Sequence, residues 1–165
     1  MAKIEFSERL LKEIKNGLCQ SHTRLAVAES VTAGFLQLAC SQMENATAVF
    51  AGGITTYAMD EKIRILQVDA EEAKRCNCVS ASITDQMAVA VAALFHADWG
   101  IATTGYATVV PESRGELFAF ISVVHQGKLV DRKKIELQLP MDAVDAQYAY
   151  TIAALENMAD ALKNR

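Results

Sequence analysis

The apolar positions of this chain change period several times, and each change marks an element. From residue 7 to 21, Leu10, Leu11, Ile14 and Leu18 recur at spacings of three and four, and Ser7 precedes them, so a first helix capped by that serine is predicted. Residues 24 to 29 are a short apolar run that reads as a buried strand. Residues 32 to 43 return to helical spacing with Phe35, Leu36, Ala39 and Cys40 on one face. Residues 48 to 57 are rich in β-branched and aromatic side chains and read as a strand. Its Gly52-Gly53 pair predicts a bulge or a close backbone approach. A short helix follows at 60 to 67. The stretch opening at Ser80 has a capping pattern and starts a helix to about residue 97, with Ile83, Met87, Val91, Leu94 and Phe95 inward.

The second half is dominated by strands. Trp99 to Gly105 is one. Leu117 to Val124 is apolar on both faces, which is expected of a central strand covered by helices. Gly127 turns it into Leu129 to Leu139, where Ile135, Leu137 and Leu139 alternate with polar residues as in a hairpin with a half-exposed edge. Residues 142 to 163 close the chain as a helix with Val144, Tyr148, Ile152, Leu155 and Leu162 on one stripe. Strands alternating with helices, plus one late hairpin, predict an α/β fold: a three-layer α/β/α sandwich with a mixed sheet. No repeat, low-complexity tract or linker divides residues 1–165, so one domain is expected.

Composition narrows the function classes. The apolar fraction is 52%, much of it alanine, which points to close helix packing rather than to a greasy surface. No window is apolar enough to span a membrane, and the amphipathic N-terminus lacks a signal-peptide core, so a mature cytoplasmic protein is expected. Net charge is −4 with no basic stripe, which argues against nucleic-acid and membrane partners. Arg132, Lys133 and Lys134 form the one basic cluster, a solvated strand end. The four cysteines, Cys19, Cys40, Cys76 and Cys78, lack the spacing of a zinc knuckle and read as free thiols, with no metal site expected.

In open α/β sheets ligands bind where strands end and helices begin. Three such loops carry polar side chains here: Glu29, Ser30, Thr32 and Gly34; Thr55, Thr56, Tyr57, Asp60 and Lys62; and Thr103, Thr104 and Gly105. Ser30 stands where a buried strand turns into a helix. It is either a nucleophile beside amides that would hold an oxyanion or a helix cap, and residues of this type at such a position are more often caps. His22, His96 and His125 lie at the wrong ends of their elements to activate it. A lysine whose amine is desolvated can serve as the base, and Lys62 lies just beyond the second strand. A solvated helix lysine is the alternative.

The segment Ala28-Glu29-Ser30-Val31-Thr32-Ala33-Gly34 resembles the AES-[CA]-TGG motif of the CinA C-terminal-domain family, which includes competence/damage-inducible proteins and nicotinamide-nucleotide amidases. Gly53-Ile54-Thr55-Thr56-Tyr57, followed by Lys62, is similar to that family's G-x-x-[TS]-Y-S-N-x-x-K segment. Val79-Ser80 and Thr104-Gly105 fall at the expected later positions, and the similarity runs from about residue 8 to 162. The resemblance implies the sandwich fold already read from the pattern. It also implies hydrolysis of the carboxamide of nicotinamide mononucleotide to nicotinic acid mononucleotide and ammonia, without metal or organic cofactor. Ser30 would be the nucleophile, Lys62 its base and Tyr57 a supporting proton carrier. Glu29, Thr32, Gly34, Thr104 and Gly105 would lie on the substrate. Family members commonly self-associate, and with the apolar alternation of the edge strand this predicts a homo-oligomer.

The chain also departs from the family. The loop TG-x-AGP-x-GG…KPVG is replaced by the shorter Thr104-Gly-Tyr-Ala-Thr-Val-Val-Pro-Glu-Ser-Arg-Gly115, without its glycine pair or its lysine–proline pair. The segment G-D-R-x-x-[VI]-R is replaced by residues 139–145, with Met141 and Asp145 where the arginines would stand. Ala33, Ala58 and Met59 are further departures. The nucleophile set is kept and the phosphate-recognition set is largely gone. The expected ligand is therefore a small amide or nucleotide-like molecule other than the family substrate, either hydrolysed or only bound. The family activity itself would survive only if Arg114 or Arg132 folded in to replace the lost cations.

Overall fold

In a computed structural model, residues 4–164 are described. The elements run in the order α1 (Glu8–Gln20), β1 (Leu25–Glu29), α2 (Phe35–Ser41), β2 (Phe50–Thr55), α3 (Met59–Leu66), α4 (Ala70–Cys76), α5 (Ala81–Leu94), β3 (Trp99–Gly105), β4 (Leu117–His125), β5 (Lys128–Leu137) and α6 (Ala143–Lys163). The sheet order is β2-β1-β3-β4-β5. β1 is parallel to β2 and β3, while β3–β4 and β4–β5 are antiparallel. The sheet is therefore mixed, β4 lies inside it, and β5 is an edge.

Alternation along the strands builds a separate core on each face. Leu25, Val27, Ile101, Ile121 and Val123 pack with residues of α1, α2 and α6. Ala26, Ala28, Ala102 and Val124 pack with Ile83, Met87 and Val91 of α5 and with Leu66 and Ala73. The second face is paved with small residues because α5 lies almost on the sheet. A Cβ on Gly100 would come within 2.1 Å of the Ala88 carbonyl oxygen. The alanine excess of the composition thus belongs to close helix–sheet contact. The expected bulge lies just before the glycine pair, where the register slips between Leu25 and Ala26 and skips Ala51, and the close approach is at Gly53, where a Cβ would meet Val27 at 2.5 Å.

Four details differ from the reading of the sequence. α4 has no counterpart in it, because only Ala73 of its seven residues is buried and no apolar period exists to see. α2 begins at Phe35, three residues late. Leu94 and Val144 are exposed rather than inward. On α6 the buried positions are centred on Ala146, Tyr150, Ala154, Leu155 and Met158, rotated from the stripe that the larger side chains mark. Alanines let a helix approach its neighbours closely, so they take the face that a count of bulky residues assigns elsewhere. No helix among the described residues is long and apolar enough to cross a membrane.

Candidate active site

The turn after β1 is organised by Glu29. Its side chain is fully buried, and its two oxygens accept four hydrogen bonds. Thr32 Oγ1 (2.5 Å), the Gly34 amide (3.0 Å) and the Leu36 amide (3.0 Å) donate to Oε2, and the Gln37 amide (2.8 Å) donates to Oε1. A carboxylate at the end of a strand thereby takes up the amides that the first turn of a helix leaves unpaired. The chain reaches this geometry through Ala33 and Gly34, both left-handed, with φ of 50° and 105°. Thr32 Oγ1 also pairs with Thr103 Oγ1 at 2.8 Å, and the Ser30 amide donates to the Thr103 carbonyl at 3.0 Å. The turn is thus pinned to β3.

Ser30 does not serve as the helix cap. Glu29, not Ser30, caps α2, and it occupies the helix amides that the sequence reading offered to an oxyanion. Glu29, Thr32 and Gly34, expected on the substrate, lie behind the serine and line no part of the cavity described below. The amides of Val31 and Thr32, directly after the serine, meet no acceptor among the described residues.

Lys62 sits in the middle of α3 and is 2% exposed. Its Nζ donates to the Tyr57 carbonyl at 2.9 Å. Burial pulls its pKa down, with the neighbouring Cys78 thiol a smaller opposing influence. Burial likewise pushes the Cys78 thiol up, against the pull of Lys62. The lysine is therefore not the solvated helix residue that was the alternative. The Tyr57 side chain is another matter. The residue is 71% exposed, and it is the main-chain carbonyl, not the phenol, that holds the amine. No hydrogen bond links Ser30 Oγ to Lys62 or to any other described residue.

The third loop completes the site. Thr104 Oγ1 donates to the Cys78 carbonyl at 3.0 Å, which ties β3 to the end of α4. Asn77 and Cys78 both have positive φ, 51° and 59°. A Cβ on Gly105 would lie 2.4 Å from the Phe118 carbonyl oxygen, so only glycine lets β3 pass there. Ser30, Tyr57, Lys62, Thr104 and Gly105 all line one cavity of about 370 Å³. The lining also includes Asn77, Cys78, Tyr106, Glu112 and Gln147. None of these five was singled out as a site residue from the sequence, because they come from separate loops and helix ends with no shared spacing. A larger cleft, about 670 Å³, lies between the N-terminal segment, α1 and α2 and holds none of the candidate residues.

Arg114 and Arg132, weighed above as replacements for the family's arginines, do not line this cavity. Arg132 is held on Asp85 through Nε (3.2 Å) and Nη2, with Ser122 Oγ donating to the same carboxylate at 2.6 Å. Arg114 is exposed and left-handed at the end of a short turn, Pro111–Ser113. Met141 packs against the cluster around Tyr150, and the Asp145 amide donates to Asp142.

Known proteins have the same fold. The chain is similar in fold to a competence-damaged protein (CinA) superfamily protein from Klebsiella pneumoniae, with a TM-score of 0.89 at 22% identity over 98% of this chain and all of that one. It is also similar to the competence or damage-inducible protein of Enterobacter asburiae, with a TM-score of 0.84 at 25% identity over 96% and 99% of the two chains. In sequence it is 33% identical over 156 residues to a Streptococcus equi subsp. zooepidemicus protein named for competence-damage induction. That match covers 93% of this chain and 36% of the relative. A CinA-like protein of Thermosynechococcus vestitus is 39% identical over 83 residues, half of this chain and 20% of its own. The chain thus spans about a third or less of these two relatives. The family model for the CinA C-terminal domain matches residues 7–162. With the strand order, the AES turn and the buried lysine already in place, that match settles the family: the chain belongs to the CinA C-terminal domain family.

Proposed function

We propose that this chain is a serine-dependent amidohydrolase of altered substrate range, acting in the cytoplasm on a small carboxamide. The observation that carries the reading is a single cavity lined by both Ser30 and Lys62, whose amine is desolvated. A lysine can accept a proton only when neutral, and burial favours the neutral form. In this reading Ser30 Oγ attacks the carboxamide carbon while Lys62 Nζ takes the hydroxyl proton. The Val31 amide, which follows the serine on the cavity lining, receives the oxyanion. The C–N bond then breaks, Lys62 returns the proton to the leaving nitrogen, and ammonia departs. Water, deprotonated by the same amine, hydrolyses the ester on Ser30 and releases the acid. Loss of the phosphate-binding arginines and of the glycine-rich loop points to a ligand with less phosphate than the family's nucleotide.

Ammonia release from a panel of pyridine and nucleoside carboxamides tests this. Ser30→Ala and Lys62→Met are each expected to lower turnover about 10²–10⁴-fold while leaving the unfolding midpoint within a few degrees of the parent. Turnover that survives Ser30→Ala overturns the reading. A second reading, a binding protein without catalysis, is favoured by one feature: the Lys62 amine is engaged by the Tyr57 carbonyl and makes no bond to Ser30. Saturable binding with no ammonia release by the parent protein would support it.

A further inference from the structure

We propose that Cys78 is a second nucleophile in this cavity and the place where a small α,β-unsaturated carbonyl compound is captured as a thioether, with Lys62 as the base that takes the thiol proton. The inference uses the cavity and its lysine and does not depend on the amidohydrolase reading.

Two of the four free cysteines are buried, and they differ in what they face. Cys40 packs in the core with Leu36 and Met43 and lines neither the small cavity nor the larger cleft. Cys78, 4% exposed, lines the cavity together with Ser30 and Lys62. Its main chain is fixed on both sides. The amide donates to the Ala73 carbonyl at 2.9 Å, and the carbonyl accepts from Thr104 Oγ1 at 3.0 Å. Burial raises the thiol and lowers the amine, and the mutual attraction of Cys78 and Lys62 opposes both shifts. A separate observation marks the cavity as a place for a ligand. Ser30 is 8% exposed, and its Oγ meets no partner among the described residues.

A buried thiol is inert unless something takes its proton. The neutral amine of Lys62 has two N–H groups and one lone pair. One N–H is on the Tyr57 carbonyl at 2.9 Å, and the lone pair is left for the thiol. In the proposed step the Sγ proton passes to Nζ, and the sulfur electron pair forms a bond to the β-carbon of the ligand. The C=C π pair moves to the α-carbon, where Nζ returns the proton. Nothing is oxidised and no group leaves, so no further reactant is needed. At about 370 Å³ the cavity lies in the range of small-molecule sites.

Timed labelling of the intact chain with N-ethylmaleimide, itself an α,β-unsaturated carbonyl compound, tests the inference when read cysteine by cysteine from peptide masses. Cys78 is expected to react within about tenfold of the rate of the half-buried Cys19 and Cys76, while Cys40 stays unlabelled. A maleimide carried on a long polyethylene glycol chain is expected to label Cys19 and Cys76 and to spare Cys78. Lys62→Met is expected to slow Cys78 about three- to tenfold and leave Cys19 and Cys76 unchanged. Cys40 reports on folding in the same experiment. Where Lys62→Met opens Cys40 to the reagent, Lys62→Gln, with a polar end for the Tyr57 carbonyl, is read in its place. A Cys78 as inert as Cys40, its labelling by the polymer reagent, or a rate indifferent to the loss of the lysine would each overturn the inference. Ammonia release with an inert Cys78 removes it and leaves the amidohydrolase standing. Labelling of Cys78 without ammonia release by the parent protein does the reverse.

Discussion

Replacing Glu29 by glutamine keeps the shape of the side chain and changes one oxygen into an NH2 group. Oε2 accepts three hydrogen bonds and Oε1 one, so the amide oxygen is best kept at the Oε2 position. The new NH2 then faces the Gln37 amide, donor against donor. That bond is lost and a main-chain amide is left without an acceptor, which costs about 1–3 kcal/mol. The three remaining bonds fall from ionic to neutral strength, about 1 kcal/mol each. A neutral amide is easier to bury than a carboxylate, which offsets part of the sum. The expected net loss is about 2–3 kcal/mol. Urea unfolding reads it as a midpoint shift at constant slope, about 1 M or more for a chain of this size. A shift equivalent to less than about 0.5 kcal/mol would show that the carboxylate does not hold the turn. A change in slope would mean the variant is no longer the same folded state.

Nicotinamide mononucleotide is expected to be turned over poorly: two lost charge-assisted contacts at about 1.5–3 kcal/mol each lower kcat/KM by about 10²–10⁴-fold, and efficient ammonia release would refute the loss of phosphate recognition. The depressed pKa of Lys62 has two consequences. Turnover rises with pH through that pKa, as the amine becomes neutral. Between that pKa and the unfolded value of 10.5 the unfolded chain binds the extra proton, so stability also rises with pH there. Lys62→Met should remove this rise from a series of denaturation curves, and an unchanged series would exclude the desolvated amine. Asn157 is fully buried, and both ends of its amide meet no partner among the described residues. Asn157→Leu is therefore expected to add about 1–3 kcal/mol, read as a higher Tm, and a fall would mean that a water pairs the amide. β5 leaves one sheet edge open, and we propose that it pairs across a two-fold axis in a homo-oligomer; a scattering mass that stays at 17.9 kDa as concentration rises would refute this.

Most of this architecture was legible because each face of the sheet needs a continuous apolar surface. β1 and β3 are buried on both sides and therefore run apolar without alternation, and β5, at the edge, alternates. α4 escaped because a seven-residue helix with one buried alanine leaves no period. Asp69 caps it through the Glu72 amide, but an acid before a charged run looks the same in a loop. The candidate site was legible only on the side built by strand ends. The first three loops gave Ser30, Lys62, Thr104 and Gly105 because the polarity of a parallel sheet brings the carboxyl ends of β1, β2 and β3 together. Nothing in one dimension shows that Glu29 reaches amides five to eight residues ahead, so a residue that builds the turn reads like one that meets a substrate. The same limit hides the rest of the lining. Cys78 and Glu112 are 34 positions apart and meet at the cavity only because Thr104 is bonded to the end of α4 and the loop after β3 folds back over it. That loop is where this chain departs from its family motif, and it carries the one acidic side chain of the cavity lining. If the proposed reading holds, the nucleophile side follows from the topology of the sheet and the ligand side from loop sequence, so substrate range could change in this fold without moving Ser30 or Lys62.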